Sequence, residues 1–431
     1  MKFWKYGRIA LALMGSIILG ISVTCCGSYT SGYLYVTGAQ YNQIGAYKID
    51  RDFGYLTPVT GSPFADPGGD PVQEAVIPGG RFLAVVNKGS SNVAIFTIGG
   101  DGVLYFQATY PTSGSNPVSM TVSPDGNYLY VVDQIAPDGS GRGDITVFSI
   151  NISTGKLTLV TNQNTFNTSG TQLPYFEVNY NPVQIVTGSA GGATGGGSFV
   201  YVLDTAYPVS AASGAPPACL NAPAGSPCTV ADVFLYQINT ATGQLTLTQN
   251  APLTLGTLPG AASRIYSSSN YVWITDTQNN QGGSTGRILP FTIGAGGILQ
   301  TLVGGPVGNP STTPFPDAMI ASSNTHFFYV ANFGPGPINQ PNSNISAFTV
   351  DPTNGQLTPI SLGVYTTGSG PVWMALDSTN QYLYTANFND NTITSKVIGQ
   401  TNGQLTPPLK GNTSQPTVGQ PTYIAISGRT Y

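Results

Sequence analysis

The chain has 431 residues, 40% of them hydrophobic and only 7% charged, so it can bury a sizeable core while carrying far fewer charges than the roughly 25% of an average soluble domain. With 14 Lys and Arg against 18 Asp and Glu there is no basic field to hold a phosphate backbone, which argues against nucleic acid as a partner. A single histidine excludes a multi-histidine metal centre, and 55 Gly, 33 Pro and 24 Tyr point to many short strands joined by turns.

Residues 1–8, MKFWKYGR, carry Lys2, Lys5 and Arg8 and no acid, and residues 9–24 form an apolar run of 16. This is the charged start and apolar middle of a secretory signal, shorter than the roughly 20 residues of a membrane-spanning helix. The run ends in VTCCGS and resembles a bacterial lipoprotein signal, whose cysteine just after the cut is lipidated. Cys26 is the expected acceptor, because it places apolar Val23 three residues before the cut, where Cys25 would place Ser22. Simple secretion and an uncleaved anchor are the alternatives. Residues 1–25 are thus read as a signal peptide, 26–32 as a tether and 33–431 as one domain, exported and held at the cell envelope through the N-terminal lipid alone, on the periplasmic or outer-membrane face, as a monomer. Cys219 and Cys228, in PPACLNAPAGSPCTV, are then expected to form a local disulfide in an oxidising compartment, contributing about 2–3 kcal/mol in the chain-entropy account.

From Tyr33 onward an aromatic-led apolar run recurs seven times: YLYVTG, FLAVVN, YLYVVD, FVYVLD, YVWITD, FFYVAN and YLYTAN, with successive starts 49, 46, 71, 72, 56 and 55 residues apart. Each is followed by a second alternating segment, such as NVAIFTI or DITVFSI, and by a third that opens on Gly, such as GKLTLV or GQLTPI. Period-2 alternation and Tyr, Val, Ile and Thr content make these strands. A fourth element precedes six of the runs (VQEAVIP at Val72, VSMTVSP at Val118, VQIVTG at Val183, SRIYSS at Ser263, DAMIAS at Asp317, VWMALD at Val372), and the missing one appears at the far end, in TYIAISG from Thr422. The expected fold is all-β: a seven-bladed β-propeller of four-stranded antiparallel blades, with almost no helix and the first blade closed by the C-terminal strand.

These repeats, of the YVTN type, resemble the seven-bladed lactonase family, which contains one class of 6-phosphogluconolactonases and fungal muconate lactonising enzymes. The resemblance covers residues 33–431 and is carried best by SPDGNYLYVVD, ITVFSINISTGKLTLV and AFTVDPTNGQLTPI. It implies lactone chemistry, in which active members carry a His after a Pro-Arg start of an inner strand and a Glu soon after a second strand. Neither is matched here, where the starts read Pro71-Val72-Gln73, Pro117-Val118-Ser119, Pro182-Val183-Gln184 and Pro371-Val372-Trp373. The expected function is therefore a binding module for a small sugar-like ligand or an envelope protein, with catalysis absent or weak. A sugar-lactone hydrolase and a structural envelope scaffold are the alternatives.

With strands named A to D from the axis outward, the long B–C loops 134–143, 205–231, 277–286 and 333–343 gather on the face where A strands begin, which makes it the expected functional surface. Glu74 and Arg264 are the candidate catalytic base and electrostatic partner, or else two unrelated residues lining a wet channel. The candidate binding residues are Asp133, Asp204, Asp276, Asp317 and Trp373, with Tyr423 as a second aromatic face. Three of these belong to a ring at the B-strand ends, Asn87, Asp133, Asp204, Asp276, Asn332 and Asn387, where short polar side chains also commonly hold loop backbone. No cofactor is expected; Asp133, Asp138 and Asp144 could hold calcium, but without the spacing of an EF-hand. His326 falls in an A–B turn, on the opposite face. GSAGGATGGGS from Gly188 lacks the Lys of a phosphate loop and reads as a flexible insertion.

Overall fold

The computed structural model describes residues 29–163, 172–190, 197–205, 230–248, 253–257, 262–268, 270–277, 286–311, 315–324, 326–334 and 343–428. The signal segment, Cys26, Cys219, Cys228 and the centre of the Gly188 insertion lie outside them. Each aromatic-led run is the second strand of an antiparallel sheet, and there are seven such sheets. Blade 2 shows the plan: Pro71–Val76, Phe82–Asn87, Asn92–Ile98 and Leu104–Pro111 pair in that order. Among the described residues the one helical element is the 3-10 turn Ala295–Gly297.

The B strands are buried along most or all of their length because each is covered on both faces. In Thr30–Gly38, which starts ahead of Tyr33, the residues Tyr33 and Tyr35 pack against blade 2 while Leu34 and Val36 pack against blade 7. Alternation thus sends successive side chains into opposite seams. The apolar clusters follow the same rule, and there are seven of them, one at each junction between neighbouring blades, in place of a single central core.

The ring closes as the displaced fourth element foretells. Pro421–Gly428 is the inner strand of blade 1 and pairs with Thr30–Gly38, Tyr35 opposite Ala425 and Thr37 opposite Tyr423. Inner strands touch in cyclic order from blade 1 through blade 7 and back. The outer strands depart from the simple repeat. Among the described residues only blades 2 and 6 show a continuous one; in blade 1, Leu56–Pro58 and Phe64–Ala65 both pair with Gln43–Asp50. The intervening VTGSP explains the break, since proline cannot donate to the ladder and glycine turns the chain away.

Removing residues 420–431 strips blade 1 of its inner strand and bares two sheet edges. The truncated chain is expected to melt several degrees lower, or to aggregate, in a thermal unfolding experiment. An unchanged melting temperature would mean that the C-terminal strand does not close the ring.

Candidate functional site

The first residue of every inner strand lies opposite the last residue of the adjoining B strand: Pro71 faces Asn87, Pro316 faces Asn332 and Pro371 faces Asn387. The register slips near the start of the inner strand in all seven blades, one residue in at Val72, Val183, Ser263, Asp317, Val372 and Thr422, and three residues in, just after Pro117, at Val118. A bulge leaves its residue out of the ladder and re-aims its neighbours. The repeated Pro-Val-x of the sequence is its signature, although its meaning appears only in the register.

The residues after the bulge reach towards the next blade. Gln73 Nε2 donates to the Met120 carbonyl and its Oε1 accepts from the Met120 N–H, both at 2.8 Å. Ser119 accepts from the Ile185 N–H at 3.3 Å, and Gln184 from the Ile265 N–H at 3.0 Å. In blades 2 to 4 these side chains are spent on joining inner strands. The equivalent residues of blades 5, 7 and 1 are Arg264, Trp373 and Tyr423, and they do something else.

Arg264 Nη2 lies 3.2 Å from Asp317 Oδ1 across the junction of blades 5 and 6, with both side chains partly exposed. Burial pushes the Asp317 carboxyl up, against the pull of Arg264. Arg264 Nη1 also donates to the Ser263 carbonyl at 3.3 Å, and Ser263 Oγ donates to the Pro316 carbonyl at 2.8 Å. Trp373 and Tyr423 stack with ring centroids 3.8 Å apart and planes 24° from parallel, and both are half-buried. The Tyr423 hydroxyl accepts from Gln73 Nε2 at 3.1 Å. Burial raises this phenol strongly, with Glu74 adding to the rise and Arg264 opposing it. All these groups belong to the first turns of inner strands, so they ring the loop-side mouth of the channel.

Glu74 is placed differently from the sequence expectation. It is fully buried, its Oε1 accepts from the Ala425 N–H at 3.1 Å and its Oε2 has no partner among the described residues. Burial pushes this carboxyl well up, against the Ala425 N–H that it accepts from. Its counterparts in the other inner strands are Met120, Ile185, Ile265, Met319, Met374 and Ile424, which mark a seam-facing register. Glu74 and Arg264 are therefore not assembled as a base and its electrostatic partner; the carboxylate at Arg264 is Asp317.

The ring at the B-strand ends is buried too. Each member faces a residue at or near the start of its C strand: Asn332 faces Asn344, Asp276 faces Arg287, Asp133 faces Asp144 and Asp204 faces Asp232. Asp276 accepts from Arg287 Nε at 2.9 Å, and Asn332 donates to Asn344 and Ser346 at 2.7 and 3.0 Å. These contacts hold blades together, so Asp133, Asp204 and Asp276 sit away from the mouth that Asp317 and Trp373 line. Blades 3 and 4 carry carboxylates on both sides of this pair without a cation. Thr146 donates to Asp133 Oδ2 at 3.0 Å, while both oxygens of Asp144 and of Asp204 lack partners among the described residues. Burial raises all four acids, and repulsion from the facing carboxylate raises Asp144 and Asp204 further. Asp138 is exposed, and among the described residues no three acidic, His or Cys side chains converge on a metal position. His326 is exposed between the inner strand Pro316–Ala321 and the B strand Phe327–Asn332, at the end away from the mouth.

The sequence matches the family described as lactonase, 7-bladed beta-propeller, over residues 28–171 and 298–427. No curated protein matches the chain. Among solved structures it is similar to a periplasmic gluconolactonase from Pseudomonas aeruginosa, at 17% identity and a TM-score of 0.65, covering 92% of this chain and 99% of that one. A candidate 6-phosphogluconolactonase from Bacteroides uniformis ATCC 8492 gives 14% identity and a TM-score of 0.62, covering 92% and 100%. A protein from Lactobacillus plantarum gives 17% and 0.60, covering 92% and 99%. At these identities the likeness is one of fold.

The facing acids give stability a definite dependence on pH. A carboxyl whose folded pKa is raised stabilises the fold fully below its unfolded value, near 4, and that stabilisation drains away as the pH climbs through the folded value. The protein should therefore lose stability as the pH is raised above about 4 towards alkaline values. Asp144→Asn removes one of the two facing carboxyls, and with it the repulsion between their charged forms, and should raise stability at pH 8 by roughly 2 kcal/mol, with a much smaller effect at pH 4. Equal destabilisation at both pH values in thermal melts would show that the pair is not under electrostatic strain.

Proposed function

The chain belongs to the lactonase family of seven-bladed β-propellers, and on that footing we propose that it binds a sugar-like ring, such as an aldonolactone, at the loop-side mouth of its channel, with hydrolysis weak or absent. The observation that supports this best is the half-buried stack of Trp373 on Tyr423 in the same ring of inner-strand residues as the Arg264–Asp317 ion pair. Aromatic faces pack against the C–H faces of a sugar ring, while a guanidinium and a carboxylate supply directed donors and acceptors for its oxygens. Export and lipidation at Cys26 complete the proposal, supported by the charged start and the VTCCGS junction.

Lactone hydrolysis needs a group that takes a proton from water and donors that hold the oxyanion. Glu74 is fully buried and turned into a seam, and His326 is on the opposite face, which favours binding over turnover. One second reading has an observation behind it. Asp317 and Arg264 form an oppositely charged pair on adjoining inner strands, so Asp317 could position water while Arg264 holds the oxyanion. That would be a lactone hydrolase with a carboxylate from blade 6 in place of Glu74.

Titration of the protein with fresh D-glucono-δ-lactone, followed by tryptophan fluorescence, should show saturable binding. Trp373→Ala and Arg264→Ala should each weaken it about tenfold or more, the equivalent of about 1.4 kcal/mol. His326→Ala and Glu74→Gln should leave it unchanged. Absence of binding in the parent protein would sink the proposal. Turnover well above background that disappears in Asp317→Asn and survives in His326→Ala would establish the hydrolase reading instead.

A further inference from the structure

We infer that the ring accepted at this mouth is uncharged: an unphosphorylated lactone or a similar neutral polyol ring, and neither a sugar phosphate nor an aldonate. The inference rests on the reading of the mouth as a ring-binding site and adds the chemical class of the occupant. Arg264 is the one Lys or Arg on the seven inner strands, and Asp317 already lies 3.2 Å from it. A carboxylate that close cancels most of the guanidinium's attraction for a third charge brought to the same place. An incoming phosphate would give up its hydration against a pair with no net charge, and no other cation stands on the inner strands to compensate.

The remaining cations of this face are further out or engaged elsewhere. Lys88 follows Asn87 at the end of a B strand, one strand removed from the axis. The Arg142 guanidinium lies over the Tyr180 ring, 5.8 Å from its centroid, and lines a groove of about 400 Å³ between blades 3 and 4. The loop segments 205–231, 277–286 and 333–343 contain no Lys, Arg, His, Asp or Glu in the sequence, so they bring no charge to the mouth whatever their conformation. Gln73, Ser119 and Gln184 are committed to backbone groups of the neighbouring inner strands.

A neutral ring suits what is left. Hydroxyl and carbonyl oxygens can accept from Arg264, hydroxyl hydrogens can be given to Asp317, and the ion pair need not separate. The same balance disfavours the carboxylate that ring opening of a lactone creates, so an aldonate would not be retained.

The test compares D-glucono-δ-lactone with its 6-phosphate, with gluconate and inorganic phosphate as competitors, by tryptophan fluorescence on the folded chain. The neutral lactone should bind at least about tenfold more tightly than the phosphorylated one. Inorganic phosphate and gluconate should not compete, and affinity should hardly change between about 50 and 500 mM salt. Asp317→Asn uncovers the guanidinium, and should improve binding of the 6-phosphate about tenfold and make it salt-dependent; Asp317→Ser serves if the asparagine variant melts early. Equal or tighter binding of the 6-phosphate by the parent protein, lost in Trp373→Ala, would overturn the inference while leaving the ring site standing. Failure of both lactones to bind would overturn the site and the inference together.

Discussion

The contact on which the molecule depends is the seating of one blade's B-strand aromatic on the C–D turn of the next. Tyr33 lies against Gly102, Tyr128 against Gly243 and Phe327 against Gly403, and Tyr382 of blade 7 lies against Gly54 of blade 1, which carries the contact around the closure. At Gly54 the requirement is twofold: φ is +68°, and a Cβ there would overlap the Tyr382 ring. Hydroxyls of tyrosines two residues further along tie the same turns, as Tyr384 donates to the Gly54 carbonyl at 2.8 Å, Tyr35 to Gly102 at 3.1 Å and Tyr201 to Gly297 at 2.7 Å. Burying an aromatic side chain against a turn that also accepts its neighbour's hydrogen bond fixes both the distance and the angle between blades. Because the aromatic seat recurs at every seam, with the hydroxyl bond added by Tyr35, Tyr201, Tyr329 and Tyr384, the outer strands can be short and broken without loss of the ring.

The inner edge has no such aromatic seat and is joined by different chemistry. Blades 2 to 4 use Gln73, Ser119 and Gln184 to hold the backbone of the following inner strand. From blade 5 onward the start of the inner strands carries an ion pair, Arg264 with the bulge residue Asp317, and then a stacked ring pair. One half of the channel mouth is thus given to cohesion and the other half offers groups whose hydrogen-bonding and stacking capacity is partly open. The seven bulges make this division of labour available, since they aim the post-bulge side chain across the seam at the same depth in each blade.

The fold was legible because the signals repeat. An aromatic, alternating apolar residues and a Gly-led third segment recur often enough to be counted, and the fourth element missing at Tyr33 reappears at Thr422. The site was legible only in part. Asp317 and Trp373 could be placed on inner strands by position alone, but pairing Asp317 with Arg264 requires knowing that blades 5 and 6 are neighbours and that the bulge brings a second-position side chain opposite a third-position one. Glu74 was misplaced although a signal existed: the same register reads Met120, Ile185, Ile265, Met319, Met374 and Ile424, which marks it as seam rather than channel. The acids at the B-strand ends look like a ligand ring in one dimension. Their burial follows from facing the C strand across a ladder, which spacing along the chain does not reveal.

The ring site and the ring closure share residues, and this couples occupancy to stability. Tyr423 belongs to the strand that completes blade 1, stacks on Trp373 of blade 7 and accepts from Gln73 of blade 2. Thr422 beside it donates to the Pro71 carbonyl at 2.9 Å, and Ala425 donates to Glu74. A molecule packed against the Tyr423 ring therefore contacts the one strand that is covalently remote from the blade it completes. Binding to the closed form alone stabilises it by RT ln(1 + [L]/Kd), about 2.7 kcal/mol when the ligand stands at a hundred times its dissociation constant. With a ligand at the proposed site that free energy would act on the closure seam, because opening it removes Tyr423 and dismantles the stack on which the ligand is proposed to rest.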